Sequence, residues 1–291
     1  MKIAVSSYSF NQYIKAGKMT LQDTVDKAAE MGFAGIEFID LPKEMPRAER
    51  MALAADLRQR VEKNGLSMVA YTVAARLWQP TEALLRAEIE RVKGEVDITV
   101  LLGAPVMRHD LVWELDKTGA GRSFRSMMPK LAETVREIAD YAAQKGIKTC
   151  SENHGRIAQD SDRMEAFAAL VNHDHYGLLV DMGNFLCVDE DPITAVSRVA
   201  NYAFHAHAKD MLICSPDTDG GVGIIKTRGM NGLKPTAIGH GSVPVKQCIA
   251  ILKRAGYDGW LSVEYEGKED CLQGIAEGLK NLRMYLSELE K

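Results

Sequence analysis

No stretch of this chain approaches the roughly 18 consecutive apolar residues of a membrane-spanning helix, so no membrane span is expected. The N-terminal MKIAVSSYSF has one positive charge and a very short apolar run, which reads as a first strand and not as a signal peptide. Positive charge is not in excess. Lys and Arg number 36 against 40 Asp and Glu, a net charge of −4. A broad electrostatic footprint for nucleic acid is therefore not expected, although a small basic pocket for one phosphate group remains open. None of the five cysteines (Cys150, Cys187, Cys214, Cys248 and Cys271) stands in a CxxC pair. An odd, scattered set fits thiols of a reducing compartment, and a cytoplasmic location is expected. No low-complexity tract or linker interrupts the pattern, so residues 1–291 are read as one domain. No GxGxxG turn follows the first strand, which weakens a doubly wound open sheet.

What is present is ordinary soluble composition, 46% hydrophobic and 26% charged, in 291 residues. A chain of this length can bury about three quarters of its unfolded surface. One unit recurs: a helical segment ends in Gly, and a short β-rich run follows. Gly32, Gly65, Gly146 and Gly256 occupy the position after the helix, where positive φ is needed. Helix starts are marked by Thr20 with Asp23, by Ser123, by Ser161, and by Asp191 before Pro192. Apolar spacings of three and four, as at Leu131, Val135, Ile138 and Ala142, fit helices buried on one face.

Strands are predicted at 3–9, 35–39, 67–73, 98–109, 148–154, 177–184, 202–210 and 260–267. Each is mostly apolar and turns polar at its C-terminal end. Parallel strands buried on both faces, with a functional rim, read this way. Eight strands alternating with helices predict a single (β/α)8 barrel, an α/β fold.

Active sites of such barrels lie at the C-terminal strand ends. Ionisable residues fall there at Glu152, Asp181, His207 and Glu264. Three carboxylates and one imidazole make an oxygen-rich set for one divalent metal ion. Mn²⁺ is favoured, with Co²⁺, Mg²⁺ or Zn²⁺ open. His205 shares a strand face with His207 and competes for the ligand role; the outer His207 is preferred. Glu152 and Glu264 come from distant strands. They suit an acid/base pair that takes a proton beside a carbonyl and returns one, through an enediolate that the cation stabilises. Further candidates for substrate contact are His154, Lys209, Asn184, Glu37, Arg108, His109, His240, and Arg228 in the long loop 220–235. Tyr8, Tyr71, Trp78 and Trp113 are candidate pocket walls.

SENHG (151–155), LLVDMGNF (178–185), HAHAKD (205–210), GHGSVP (239–244) and GYDGWLSVEYEG (256–267) together carry a resemblance over essentially the whole chain. The sequence resembles the sugar isomerase/epimerase superfamily of xylose-isomerase-like TIM barrels. The resemblance implies that Glu152, Asp181, His207 and Glu264 bind one divalent metal and that Glu152 and Glu264 act as acid and base. The implied activity is isomerisation or epimerisation of a small ketose, cyclitol or sugar acid. A dehydratase of a keto-sugar or inosose, or a non-catalytic sugar-binding barrel, is the alternative. A small sugar or cyclitol is the implied partner, and a homo-oligomer is compatible with it. Two features depart from ketose 3-epimerases of that group: Asn184 stands where they carry His, and the first Arg after His207 is the distant Arg228. The endonuclease branch needs further His ligands, but Val73 and Asn184 stand at those positions.

Overall fold

A computed structural model describes residues 1–290. Eight parallel strands close into a barrel: β1 (Lys2–Ser6), β2 (Gly35–Ile39), β3 (Ser67–Val73), β4 (Val106–His109), β5 (Lys148–Glu152), β6 (Tyr176–Asp181), β7 (Ala203–Ala208) and β11 (Trp260–Val263). Around it lie α1 (Asn11–Lys15), α2 (Leu21–Glu30), α3 (Arg47–Lys63), α4 (Glu82–Leu102), α5 (Phe124–Ala143), α6 (Ser161–Val171), α7 (Pro192–Val199), α8 (Val245–Arg254) and α9 (Cys271–Glu288). The fold is the single (β/α)8 barrel that the alternation predicts. Strands β8 (Asp210–Cys214), β9 (Ile225–Lys226) and β10 (Gly232–Thr236) form a separate antiparallel sheet over the barrel mouth after β7.

Local sequence explains most boundaries. Thr20 and Asp23 form a reciprocal capping box on α2, and Ser123 and Asp191 accept from Ser126 and Thr194 N–H. Gly32, Gly65, Gly146 and Gly256 all take positive φ. Leu131, Val135, Ile138 and Ala142 are fully buried.

Three expectations need correction. Residues 98–102 belong to α4, not to a strand. Leu101, Leu102 and their neighbours complete an apolar helix, which ends only where Gly103 adopts φ 74°. Ser161 does not cap α6. Asp160 precedes the helix without a side-chain cap bond, and the Ser161 amide and hydroxyl both donate to Glu190. The segment 220–235 is not structureless, because β9 and β10 run through it.

The barrel interior is layered by strand alternation. Val106, Cys150 and Leu179 belong to a small buried apolar cluster. Two residues further along the same strands come Arg108, Glu152 and Asp181. The apolar layer thus floors a polar mouth. Gly35 marks a close approach in the wall. A Cβ there would stand 2.6 Å from Val69 Cγ1 and 2.9 Å from the Ser67 carbonyl. Gly35→Ala is expected to cost about 1–3 kcal/mol through overpacking, read as a lower melting temperature.

His109 follows the inward-facing Arg108, so its ring turns outward into the helical layer beside Tyr176. Burial pushes its imidazole down to about 4 from the ordinary 6.5. Between those values the unfolded chain binds a proton that the folded protein refuses. Stability is therefore present above pH 6.5 and falls as pH drops towards 4, by at most about 3 kcal/mol. Denaturant midpoints measured across that range should fall more steeply for the wild type than for His109→Gln. Identical slopes would show that His109 does not carry the effect.

Candidate functional site

Glu152 ends β5, Asp181 ends β6, His207 lies in β7, and Glu264 directly follows β11. One ligand atom from each lies within 4.8 Å of the others, and all four residues are buried. The local structure aims them. Asn153 pairs with the backbone of Asp181, accepting its N–H and donating to its carbonyl, both at 2.9 Å, and so ties the ends of β5 and β6 together. Asp181 Oδ1 accepts from the N–H groups of Gly183 (2.8 Å) and Asn184 (2.9 Å), which turns Oδ2 towards the cluster. Ser9 donates to the Val263 carbonyl and accepts from Tyr265 N–H, fixing the backbone on either side of Glu264.

His207 is held from below. Its Nε2 lies 2.8 Å from Glu37 Oε1, while Nδ1 faces Asp181 and Glu264 at 3.6 Å and Glu152 at 3.8 Å. A proton on Nε2, shared with Glu37, leaves the Nδ1 lone pair free for a metal. His205 is engaged elsewhere: its Nε2 is 2.5 Å from Glu37 Oε2 and 3.1 Å from Ser262 Oγ. Glu37, His205 and His207 form a second possible ligand group one layer deeper, with His207 common to both.

The residues present fit a divalent ion. Asp181 Oδ2, His207 Nδ1 and Glu264 Oε2 are buried and converge; among the described residues none makes a hydrogen bond of good geometry, and their contacts are ionic. Three carboxylates and an imidazole are a hard, oxygen-rich donor set. Lys209 Nζ reaches into the same space, 2.5 Å from Glu264 Oε2 and 3.2 Å from Asp181 Oδ2. Burial opposes charge throughout, and opposite charges outweigh it. Lys209 and His207 hold the Glu264 carboxyl well below its ordinary range. Glu37 and Glu264 hold the His207 imidazole well above its own. Asp181 and Glu264 do the same for the Lys209 ammonium.

A cavity of about 310 Å³ opens above this cluster. Arg108, Glu152, His154, Lys209 and Glu264 line it, as do Tyr8 and Trp113. Arg108 bridges Asp110 and Glu152 at 2.7 Å each. Asn184 donates to Glu152 Oε1 (2.8 Å) and accepts from Lys209 (3.2 Å). His154 Nδ1 is 3.2 Å from Asp110 Oδ1, with the Trp113 ring edge-on at 5.2 Å.

Not every expected residue comes to this cavity. Glu37 lies inside β2 and not at its end; it is fully buried beneath His207, where substrate does not reach. His109 faces the helical layer. Arg228 is exposed and pairs with Asp160, a contact that holds it away from the cavity wall. His240 is exposed, 3.8 Å from Glu277 on α9. Tyr71 is buried with its hydroxyl on Glu95, and the Trp78 indole donates to Asp116. Sequence reasoning passed over Asp110, Glu266, Asp40 and Thr72, which also line the cavity. Asp110 directly follows the Arg-His pair that ends β4, a polar run that was a usable signal. Thr72 Oγ1 is buried without a partner, and nothing in SMVAYTV sets it apart.

Similarity to known proteins agrees with this geometry. The chain is 23% identical over 287 residues to an inosose dehydratase of Geobacillus thermodenitrificans (strain NG80-2), covering 94% of this chain and 90% of that one. A solved structure titled as the IOLI protein with a binding zinc atom superposes with a TM-score of 0.78 at 17% identity, over 99% of both chains. A xylose isomerase-like TIM barrel protein from Mycobacterium smegmatis, in complex with magnesium, gives a TM-score of 0.71 at 18% identity, over 99% of this chain and 97% of that one. Both likenesses are of fold. Among the described residues no helix is long and apolar enough to cross a membrane. The family model for xylose isomerase-like TIM barrels matches residues 25–285, and the chain belongs to that family.

Proposed function

We propose that this protein is a metal-dependent lyase that removes water from a polyhydroxy ketone of the cyclitol or keto-sugar class. The observation that carries the reading is how protons are placed around the cavity. Both oxygens of Glu152 are engaged, one by Arg108 and one by Asn184. Glu264 is neutralised by Lys209. Neither carboxylate is a free base. His154 is differently placed. The Asp110 carboxylate can only accept from Nδ1–H, so in the neutral ring the other nitrogen holds the lone pair, and the same contact raises the imidazole's pKa against the effect of burial and so makes that nitrogen more basic. The inosose dehydratase named above supports the same class of reaction.

Glu152, Asp181, His207 and Glu264 would hold the ion, with Mn²⁺ favoured by the donor set. Bound there, it would supply a Lewis acid for the substrate's carbonyl oxygen. The chain's own groups do the rest. His154 takes the proton from the carbon beside the carbonyl, and Asp110 steadies the imidazolium. Lys209 and Arg108 hold positive charge in a buried place where oxygen charge develops. The imidazolium then gives its proton to the hydroxyl leaving the next carbon. One C–H and one C–O bond break, a C=C bond forms, and water departs. The unpartnered Thr72 hydroxyl is available for a substrate hydroxyl.

The ligand assignment predicts about one divalent ion per chain by elemental analysis after Mn²⁺ loading, lost in Asp181→Ala. An unchanged metal content in that variant would rule out the cluster. The proton assignment predicts a product one water lighter than an inosose or keto-sugar substrate. His154→Gln should keep its ion and lose activity by about 10²–10⁴-fold. A product of unchanged mass, formed equally well by His154→Gln, would replace the lyase reading with the isomerase one, using Glu152 and Glu264 as acid and base.

A further inference from the structure

Next to the catalytic cavity lies a second one, of about 600 Å³, walled by the loop after β2, the start of α3 and the segment after β3. Five cationic side chains line it: Lys43, Arg47, Arg50, Arg76 and Arg91. The carboxylates among its lining residues are Glu88 and Glu95. Two cations have unused hydrogen-bonding capacity. Arg50 grips Glu95 through one terminal nitrogen (2.7 and 2.9 Å), and its buried Nε has no partner. Arg76 engages Glu88 by its backbone N–H alone, and among the described residues no ion pair or hydrogen bond holds its guanidinium. The α3 N-terminus at this wall has no side-chain cap, and the helix dipole there has the same polarity.

The two cavities meet. Ala74 and Trp113 line both, and Asp40 of the catalytic cavity pairs with Lys43 of the second at 3.2 Å. A molecule lying against Trp113 would span them. Guanidinium groups with free donors in a concave, positively charged wall are suited to the oxygens of a phosphate or carboxylate.

We propose that the second cavity is an anion subsite. It takes the phosphate or carboxylate end of a substrate whose ketone reacts in the catalytic cavity; the substrate half of this inference rests on the lyase reading above. Arg76 and Arg50 bind the anion directly. Arg91 positions the wall, because it donates to the Ala74 carbonyl and to Glu88.

Calorimetric titration of the Mn²⁺-loaded protein tests the subsite without turnover, so it stands or falls separately from the lyase reading. Inorganic phosphate is expected to bind the wild type and the Asp181→Ala variant equally within twofold. Arg76→Glu should weaken it at least tenfold, and Lys43→Glu should weaken it in the same direction. Binding that survives Arg76→Glu but disappears in Asp181→Ala would place the anion on the catalytic ion and overturn the proposal. Equal binding in all variants, or none in the wild type, would also overturn it. Glycerol phosphate titrated against gluconate then identifies the group: whichever binds more tightly, and loses more in Arg76→Glu, names it. With an anionic substrate in hand, Arg76→Glu should raise KM tenfold or more and leave kcat unchanged.

Discussion

The structure is organised around the burial of four carboxylates, Glu152, Asp181 and Glu264 at the mouth of one barrel and Glu37 one layer beneath them. Ionised carboxylates cannot be taken from water without compensation, since the desolvation cost of each is several kcal/mol even after relaxation. Compensation comes from the same strands. Arg108 serves Glu152, His207 lies between Glu37 and the upper three, and Lys209 reaches Glu264 and Asp181. The remaining deficit is concentrated at Asp181 Oδ2, His207 Nδ1 and Glu264 Oε2, which among the described residues make no hydrogen bond of good geometry. Converging carboxylates need positive charge beside them, which Lys209 and His207 supply here. A divalent ion could take over that role, so the charge placement supports the metal reading alongside the ligand types.

This constraint explains features that look incidental. Gly183 sits directly against Lys209; a Cβ there would be 2.9 Å from Lys209 Cγ and 3.0 Å from its carbonyl oxygen. Any larger residue would displace the ammonium from its carboxylates. Asp210 turns away from the cluster, and its carboxylate accepts from the N–H groups of Met211, Gly239, Gly241 and Val243. Adjacent residues of one chain segment thus do two jobs. Lys209 neutralises the mouth, and Asp210 fastens the turn before α8 to the end of β7.

Much of this was legible because a parallel barrel writes its site at strand ends. Glu152, Asp181 and His207 could be located by finding where an apolar run turns polar. Helix-to-strand glycines and capping residues gave the phase of the repeat. What failed did so for physical reasons. Residues 98–102 are apolar enough for either a buried strand or a buried helix face, and periodicity cannot separate the two over so short a run. Glu37 was read as a substrate contact, although it lies inside β2 and is fully buried. Its pairing with His205 and His207 is a contact across 168 and 170 positions that no local pattern encodes. Arg228 drew interest as the first arginine after His207, in a long segment, but β9 and β10 give that segment its own structure and Asp160 supplies the partner. Asp110 was overlooked beside two more conspicuous residues, although it meets both Arg108 and His154.

Asn184 is the residue that best separates this chain from the ketose 3-epimerases it resembles. A histidine there would be a titratable group over the substrate. The amide cannot exchange protons, but it has a donor and an acceptor in fixed geometry. Here the donor occupies Glu152 Oε1 and the acceptor receives Lys209. Glu152, its other oxygen already on Arg108, carries one donor on each oxygen. On the proposed reading, proton handling falls to the neighbouring His154, two residues beyond Glu152, which Asp110 orients beside Trp113. Epimerisation requires proton transfer at two faces of a carbon, whereas removal of water can be completed by one imidazole that takes a proton and returns it to the departing oxygen. One imidazole beside one fixed amide supports the second of these, the reading proposed above.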